Sequence, residues 1–505
     1  MRRSSIVSFF LAVAMFVGTQ TPARAEVTLP SFLADHMVIQ RNRPVHLWGL
    51  ADPGEAVTVE FRGNHASAKA DPLGQWSLYL PPGEAGGPFT LTIQGKNMIV
   101  WNDVLVGDVW IASGQSNMEF QIAKTAWDNS GVQNWQQVLA SADAPNLRIL
   151  SIAKKFSEYP MADAASSGWS ACTPTSVANF SAVGYFFARN IMAHEHIPVG
   201  VIEADWGGTP AEAWTSLDAL SANTALMPVF VARAKLMDKE TTILLQKKIA
   251  IQAAALATAQ GKTPAPIPWH PDPDSWAPAE LYNAMIAPLV PLPIRGVIWY
   301  QGESNTDATQ APVYQHLFAA MIQDWRARWN QGDFPFLYAQ IAGFNSRDEW
   351  AEVRDAQRRV LALPNTGMAV TIDITGDPNN IHPKDKLDVG NRLALWALDL
   401  SYGEHIEDSG PLFRHAALEH GHLRVQFDNV GGGLVVHGSQ LKGFEVAGAD
   451  GKFVPAQATI EGDSVVAASA SVAKPKYVRY GWASNPDCNL FNQDGLPASP
   501  FSSTP

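Results

Sequence analysis

Ser116 lies in Gly114-Gln115-Ser116-Asn117-Met118, directly after the apolar run Val109-Trp110-Ile111-Ala112. A short apolar run that ends in a small-residue turn predicts a buried strand whose end presents one hydroxyl. Three further segments share that layout. Val201-Ile202-Glu203-Ala204-Asp205 leads into Trp206-Gly207-Gly208-Thr209, and Val297-Ile298-Trp299-Tyr300 leads into Gln301-Gly302-Glu303-Ser304-Asn305. Met368–Ile372 leads through Asp373 and Gly376-Asp377-Pro378-Asn379-Asn380 to Ile381-His382-Pro383. Four strand ends therefore bring a hydroxyl, paired glycines whose N–H groups can approach a ligand, an amide side chain and an imidazole.

Acyl transfer needs those parts. A serine is a weak nucleophile at its free pKa, so a base must take its proton as it attacks, and imidazole titrates near neutral pH. Ser116 is the candidate nucleophile and His382 the candidate base. The N–H of Ser116, an N–H of Gly207 or Gly208 and the Asn305 amide are the candidate oxyanion donors, each worth on the order of 3–4 kcal/mol in the transition state. Gln115, Trp206, Gln301 and Glu303 flank these groups as candidate substrate contacts, and Trp206, Trp214 and Trp299 offer rings for the apolar faces of a sugar.

The elements that must hold these residues follow from patterning. From about 107 to 400, apolar runs at Asp108–Ala112, Val199–Ala204, Gly296–Tyr300, Phe336–Ile341 and Met368–Ile372 alternate with helical patterns at Ala182–Ala193, Val313–Trp329 and Trp350–Leu361. That alternation predicts a mostly parallel sheet with helices on both faces, whose ligand crevice lies at the carboxyl ends of the strands. Residues 26 to 106 show short strands with Asp52-Pro53-Gly54, Gly63-Asn64 and Pro81-Pro82-Gly83 between them, which predicts a small β-sandwich. A second β region is expected from 401 to 505. Between about 222 and 280 a long helical stretch and a Pro-rich segment read as an insertion, either one wall of the cleft or a surface hairpin.

The four blocks resemble those of the SGNH hydrolases, and more closely the sialate O-acetylesterase-like branch of carbohydrate esterases. The likeness extends to Phe32–Arg41, Phe180–Ala188 and Asn489–Asn492 with Gly495-Leu496-Pro497. It implies an α/β three-layer sandwich flanked by β-sandwich-like regions, with Ser116, His382 and a supporting carboxylate removing acetyl groups from an acetylated oligosaccharide or polysaccharide through an acetyl-enzyme. Hemicelluloses such as xylan or xyloglucan are the alternative to sialic acid. A non-catalytic carbohydrate-binding protein is the alternative of another class. One position departs from the pattern: the aspartate usual three residues before the histidine is Asn379 here. Asp377, which also suits a Gly-Asp-Pro turn, is the first candidate to orient His382, with Asp373 or a Ser–His dyad as alternatives.

The bulk properties narrow the rest. Of 505 residues, 46% are hydrophobic and 17% charged, an ordinary globular composition. Arg2-Arg3, the apolar stretch Ile6–Val17 and Ala23-Arg24-Ala25 form the three parts of a secretory leader, which predicts export with cleavage near Ala25 to the periplasm or the outside. No other stretch reaches the length of a membrane span. Loss of Arg2, Arg3 and Arg24 takes the formal charge from −12 to −15. An acidic chain without a basic run argues against nucleic acid as partner. The fifth residue of the block that begins at Gly114 is Met118, so the Gly-x-Ser-x-Gly elbow of α/β-hydrolases is excluded, and His194-Glu195-His196 lacks helical zinc spacing. No metal or organic cofactor is implied. Cys172 and Cys488 are either bridged or two separate thiols, and the sequence does not fix an oligomeric state.

Overall fold

The computed structural model describes residues 26–124, 130–265 and 273–504. The expected leader, residues 1–25, lies outside them, as do 125–129, 266–272 and 505.

The strand Met98–Gly114 is the axis of the molecule. Its first half pairs antiparallel with Gly86–Gln94 and parallel with Val38–Gln40, inside the N-terminal β region. Its second half is the central strand of the parallel sheet, so the boundary drawn at 106 falls within one continuous strand. Along that sheet the order is Thr366–Ala369, Phe336–Ala339, Gly296–Tyr300, Met98–Gly114, Val199–Asp205, Ala144–Ser151 and Ser170–Cys172. All neighbours are parallel except the last pair. The chain first builds to one side of Met98–Gly114 and then crosses to the other. Ser116 therefore follows the strand where the winding reverses, the place where open α/β sheets form their ligand crevice.

Alternation along the strands decides the layers. Trp110 and Ala112 share a core with the helices Ala182–Glu195 and Lys386–Ala397. Val109 and Ile111 face the other way, into the core that holds Tyr314–Trp329 and Trp350–Val360. Both faces are covered, as a parallel sheet requires. This is the three-layer α/β arrangement expected from the alternation.

In the N-terminal region the polar strand Asn64–Lys69 pairs with Ala56–Phe61 across a turn at Arg62-Gly63, both with positive φ. That is the two-residue hairpin geometry that matches strand twist. The polar run gave no strand signal in the sequence; the hairpin partner supplies it. After residue 401, a sheet containing Leu412–Glu419, His422–Asp428, Gln457–Glu461 and Ser464–Ala468 shares a core with one containing Phe444–Ala447 and Tyr477–Tyr480. The insertion forms the 33-residue helix Met227–Ala259, of which only Val229 is buried. Cys172 and Cys488 are free thiols, each pushed up to about 11 chiefly by burial. No helix among the described residues is long and apolar enough to cross a membrane.

Candidate active site

Gly114 sets the turn that exposes Ser116. Its φ is +140°, and a Cβ there would lie 2.2 Å from the Tyr300 carbonyl oxygen, so only glycine fits between the two strand ends. Ser116–Glu119 then forms a single helical turn. Ser116 is half-buried, and its Oγ lies 2.9 Å from His382 Nε2. That distance is within direct proton-transfer reach.

Asn117, next to Ser116, ties the turn to the segments that face it. Its Nδ2 donates to Glu303 Oε1 at 2.5 Å and to the carbonyl of Ile381 at 3.1 Å, while its Oδ1 accepts from the buried Lys386 Nζ. The carbonyl it holds belongs to the residue before His382. Gln115 does the same on the other side, its Oε1 accepting from the N–H groups of Gly302 and Ser304 at 3.3 and 3.2 Å. Burial raises the pKa of Glu303, opposed by the Asn117 hydrogen bond and the Lys386 charge. Its Oε2 is buried and has no hydrogen-bond partner among the described residues.

These groups open onto a cavity of about 780 Å³ that includes Gln115, Ser116, Gly207, Gly208, Glu303 and His382 in its lining. Trp206, Trp276, Phe344 and Trp350 supply aromatic walls, and Glu119, Asp307, Asp348 and Lys154 supply charge. Trp206 is where the sequence placed it. Trp214 and Trp299 are instead fully buried and pack edge to face at 6.1 Å. Trp276, Phe344 and Trp350 carry no local signal, because each reaches the cavity from a loop or helix start distant in sequence. The segment after the long insertion helix delivers Trp276, whose Nε1 donates to the Gly208 carbonyl.

The structure departs from expectation at Asn305 and Gln301. Asn305 is fully buried, and its two Nδ2 hydrogens go to Glu212 Oε2 at 2.8 Å and to Gln310 Oε1. Its Oδ1 accepts from the Ala211 N–H at 2.9 Å and from Gln301 Nε2 at 2.6 Å. With both hydrogens committed, the amide has none to offer an oxyanion. Gln301 is equally buried, its Oε1 accepting from the Tyr314 hydroxyl at 2.9 Å. Both belong to a polar network behind the cavity wall, which joins the Gly207-Gly208 segment to the Gln301–Asn305 segment.

The carboxylates before His382 are also engaged elsewhere. Asp377 Oδ1 accepts from the backbone N–H and side-chain amide of Asn379 at 2.9 and 3.3 Å, closing its own turn. Asp373 is held by both Nη atoms of Arg392 at 2.6 and 2.7 Å. The orienting role expected of Asp377 is not what these contacts provide. The His382 N–H donates to Asn380 Oδ1 at 3.0 Å.

Of the backbone donors, the Gly207 N–H donates to Glu119 Oε2 at 2.6 Å. Among the described residues no protein acceptor takes a hydrogen bond from the N–H of Ser116 or of Gly208. Both residues belong to the lining of the cavity. Among the described residues no cluster of three or more His, Cys, Asp or Glu side chains is arranged to hold a metal ion.

The network behind the wall carries a pH signature. Burial pushes the Glu212 carboxyl up to about 7, with the hydrogen bond from Asn305 opposing. The unfolded chain releases this proton at lower pH than the folded one, so the stabilising contribution is full below about pH 4.5 and falls as pH rises towards 7. Glu212→Gln keeps an acceptor for Asn305 and cannot ionise. Urea unfolding at pH 5 and pH 8 is expected to show that the variant loses less stability between the two than the wild type, by on the order of 3 kcal/mol.

A parallel sheet with a serine hydroxyl and an imidazole in contact at its carboxyl edge is the layout of an SGNH-like ester hydrolase. Residues 106–251 and 244–398 match the family described as SASA, carbohydrate esterase, sialic acid-specific acetylesterase. The human sialate O-acetylesterase is 30% identical over 525 residues, covering 93% of this chain and 91% of the human protein. The mouse sialate O-acetylesterase is 29% identical, covering 93% of each chain. The crystal structure of XAC1771, a carbohydrate acetylesterase from Xanthomonas citri, superposes with a TM-score of 0.81 at 40% identity, covering 95% of this chain and all of that one. The chain belongs to this sialate O-acetylesterase family of carbohydrate esterases. It is a carbohydrate acetylesterase, a carboxylic ester hydrolase.

Proposed function

We propose that the protein removes O-acetyl groups from a neutral acetylated glycan, with Ser116 as nucleophile and His382 as general base and acid. The contact between Ser116 Oγ and His382 Nε2 at 2.9 Å carries this reading. Ser116 Oγ attacks the acetyl carbonyl carbon as His382 Nε2 takes the hydroxyl proton. The N–H groups of Ser116 and Gly208 receive the developing oxyanion. Collapse breaks the bond to the sugar oxygen, which leaves with the proton from His382. Water, deprotonated by the same imidazole, then attacks the acetyl-enzyme, and acetate departs.

The cavity favours a neutral sugar. Among the described residues that line it, Glu119, Asp307 and Asp348 stand against the lysine Lys154, which is already paired with Glu119. A sialic acid carboxylate brought into that surface meets like charge without a free partner, whereas Trp206, Trp276, Phe344 and Trp350 suit the apolar faces of an uncharged ring. Export through a leader cleaved near Ala25 fits an enzyme that meets glycans outside the cytoplasm. Acetate release from acetylated hemicellulose oligosaccharides and from O-acetylated sialic acid tests the preference directly. The expected result is a kcat/KM at least ~10-fold higher on the neutral substrate. Preference for the sialate overturns the neutral reading and leaves the acetylesterase assignment standing.

A further inference from the structure

Glu119 occupies a place that needs explaining. It stands three residues after Ser116 on the same helical turn, a spacing that puts both side chains on one side. Its Oε2 takes the N–H of Gly207, and its Oε1 takes Lys154 Nζ. A Cβ on Gly207 would lie 3.0 Å from that carboxylate and 3.2 Å from Ser116 Cβ, so the glycine turn is pressed flat against the nucleophile's own turn. The carboxylate thus fixes the Trp206–Gly207 peptide, one residue before the Gly208 N–H, which is one of the two open donors.

A carboxylate here carries a cost for the reaction. Negative charge develops next to it when the carbonyl is attacked, and like charge opposes that development. Two more carboxyls stand behind it on the strand Val199–Asp205. Burial foremost pushes Glu203 up to about 7 and Asp205 well above its usual range, and the Glu119 charge adds to both shifts. Lys154 is the cation in contact with Glu119.

We propose that Glu119 and Lys154 form a charge-compensated latch for acyl transfer: Glu119 holds the Gly207-Gly208 turn so that Gly208 presents its N–H to the oxyanion, and Lys154 offsets the charge this requires. Both are positioning residues acting through the glycine turn, and the inference rests on Ser116 being the nucleophile. It assigns the oxyanion donor to Gly208 and makes Gly207 a structural contact.

The test is a double-mutant cycle in the full-length mature enzyme, with 4-nitrophenyl acetate as probe so that sugar contacts do not enter. Lys154→Met leaves an uncompensated carboxylate and is expected to lower kcat ~30-fold with KM within ~3-fold. Glu119→Gln retains an acceptor for Gly207 without charge and is expected to cost no more than ~5-fold. The combination is expected to return to within ~3-fold of Glu119→Gln alone, because no charge remains to offset. Lys154→Arg keeps the cation and is expected to stay within ~3-fold of wild type. Thermal melts confirm that each variant is folded. Losses that add in the double variant, or an unchanged kcat in Lys154→Met, overturn the latch. An inactive wild type, or an active Ser116→Ala, would instead overturn the nucleophile assignment beneath it.

Discussion

Ser116→Ala is expected to lower kcat/KM on an acetyl ester by ~10⁴-fold or more, with no measurable change in Tm. The size follows from what the hydroxyl does in the proposed reaction: it forms and breaks the bond to the acetyl group, and no neighbour replaces it. The small effect on stability follows from its surroundings. Ser116 is only half-buried at the cavity floor, and the side-chain hydrogen bond it loses is the one to His382, whose Nε2 then faces the cavity. The donors that line the cavity are untouched, so some catalysis over water persists from oxyanion binding alone. Acetate release measured beside a thermal melt checks both halves. A variant retaining more than ~1% of the wild-type rate would place the nucleophile elsewhere.

His382→Ala is expected to cost ~10³- to 10⁴-fold in kcat, and the Ser116→Ala, His382→Ala double variant is expected to be no slower than Ser116→Ala by more than ~3-fold. The two residues act as a unit, because a base has nothing to deprotonate once the hydroxyl is gone. Additive losses in single-turnover and steady-state kinetics would show that His382 works on a different proton. The carboxylates nearby extend the same argument. Asp377 closes its own turn and Asp373 is clamped by Arg392, so Asp377→Asn is expected to cost only a few-fold. A loss of ~10²-fold or more from Asp377→Asn would restore it as the group that orients the imidazole. In the described contacts, the His382 segment is steadied by Asn117 on the Ile381 carbonyl and by Asn380 on the His382 N–H.

Asn305 shows how a motif residue can brace a site without entering it. It links Glu212, Gln310, Gln301 and the Ala211 N–H, and so fixes the segment after Gly207-Gly208 against the segment that carries Glu303. A buried amide with every hydrogen placed is a rigid connector. The donors left open at the cavity are the backbone ones, which suits preorganisation, since a main-chain N–H on a pinned turn needs no side-chain ordering at the moment of reaction.

The sequence by itself determined the sheet-and-helix alternation, the four strand-end blocks and the pairing of Ser116 with His382. Those features are legible because short apolar runs, glycine turns and polar strand ends are local signals, and a parallel sheet delivers its strand ends to one edge. Glu119 was within reach of the same reasoning, three residues from Ser116 on one turn. Only the tertiary structure decided the rest. It gave the Gly207 N–H to Glu119 and left that of Gly208 open, and it turned Asn305 and Gln301 inward. It walled the cavity with Trp276, Phe344 and Trp350 in place of Trp214 and Trp299, and committed Asp373 to Arg392. Each of these is a choice of hydrogen-bond or packing partner between segments far apart in sequence, and such partners exist only once the chain has brought those segments together.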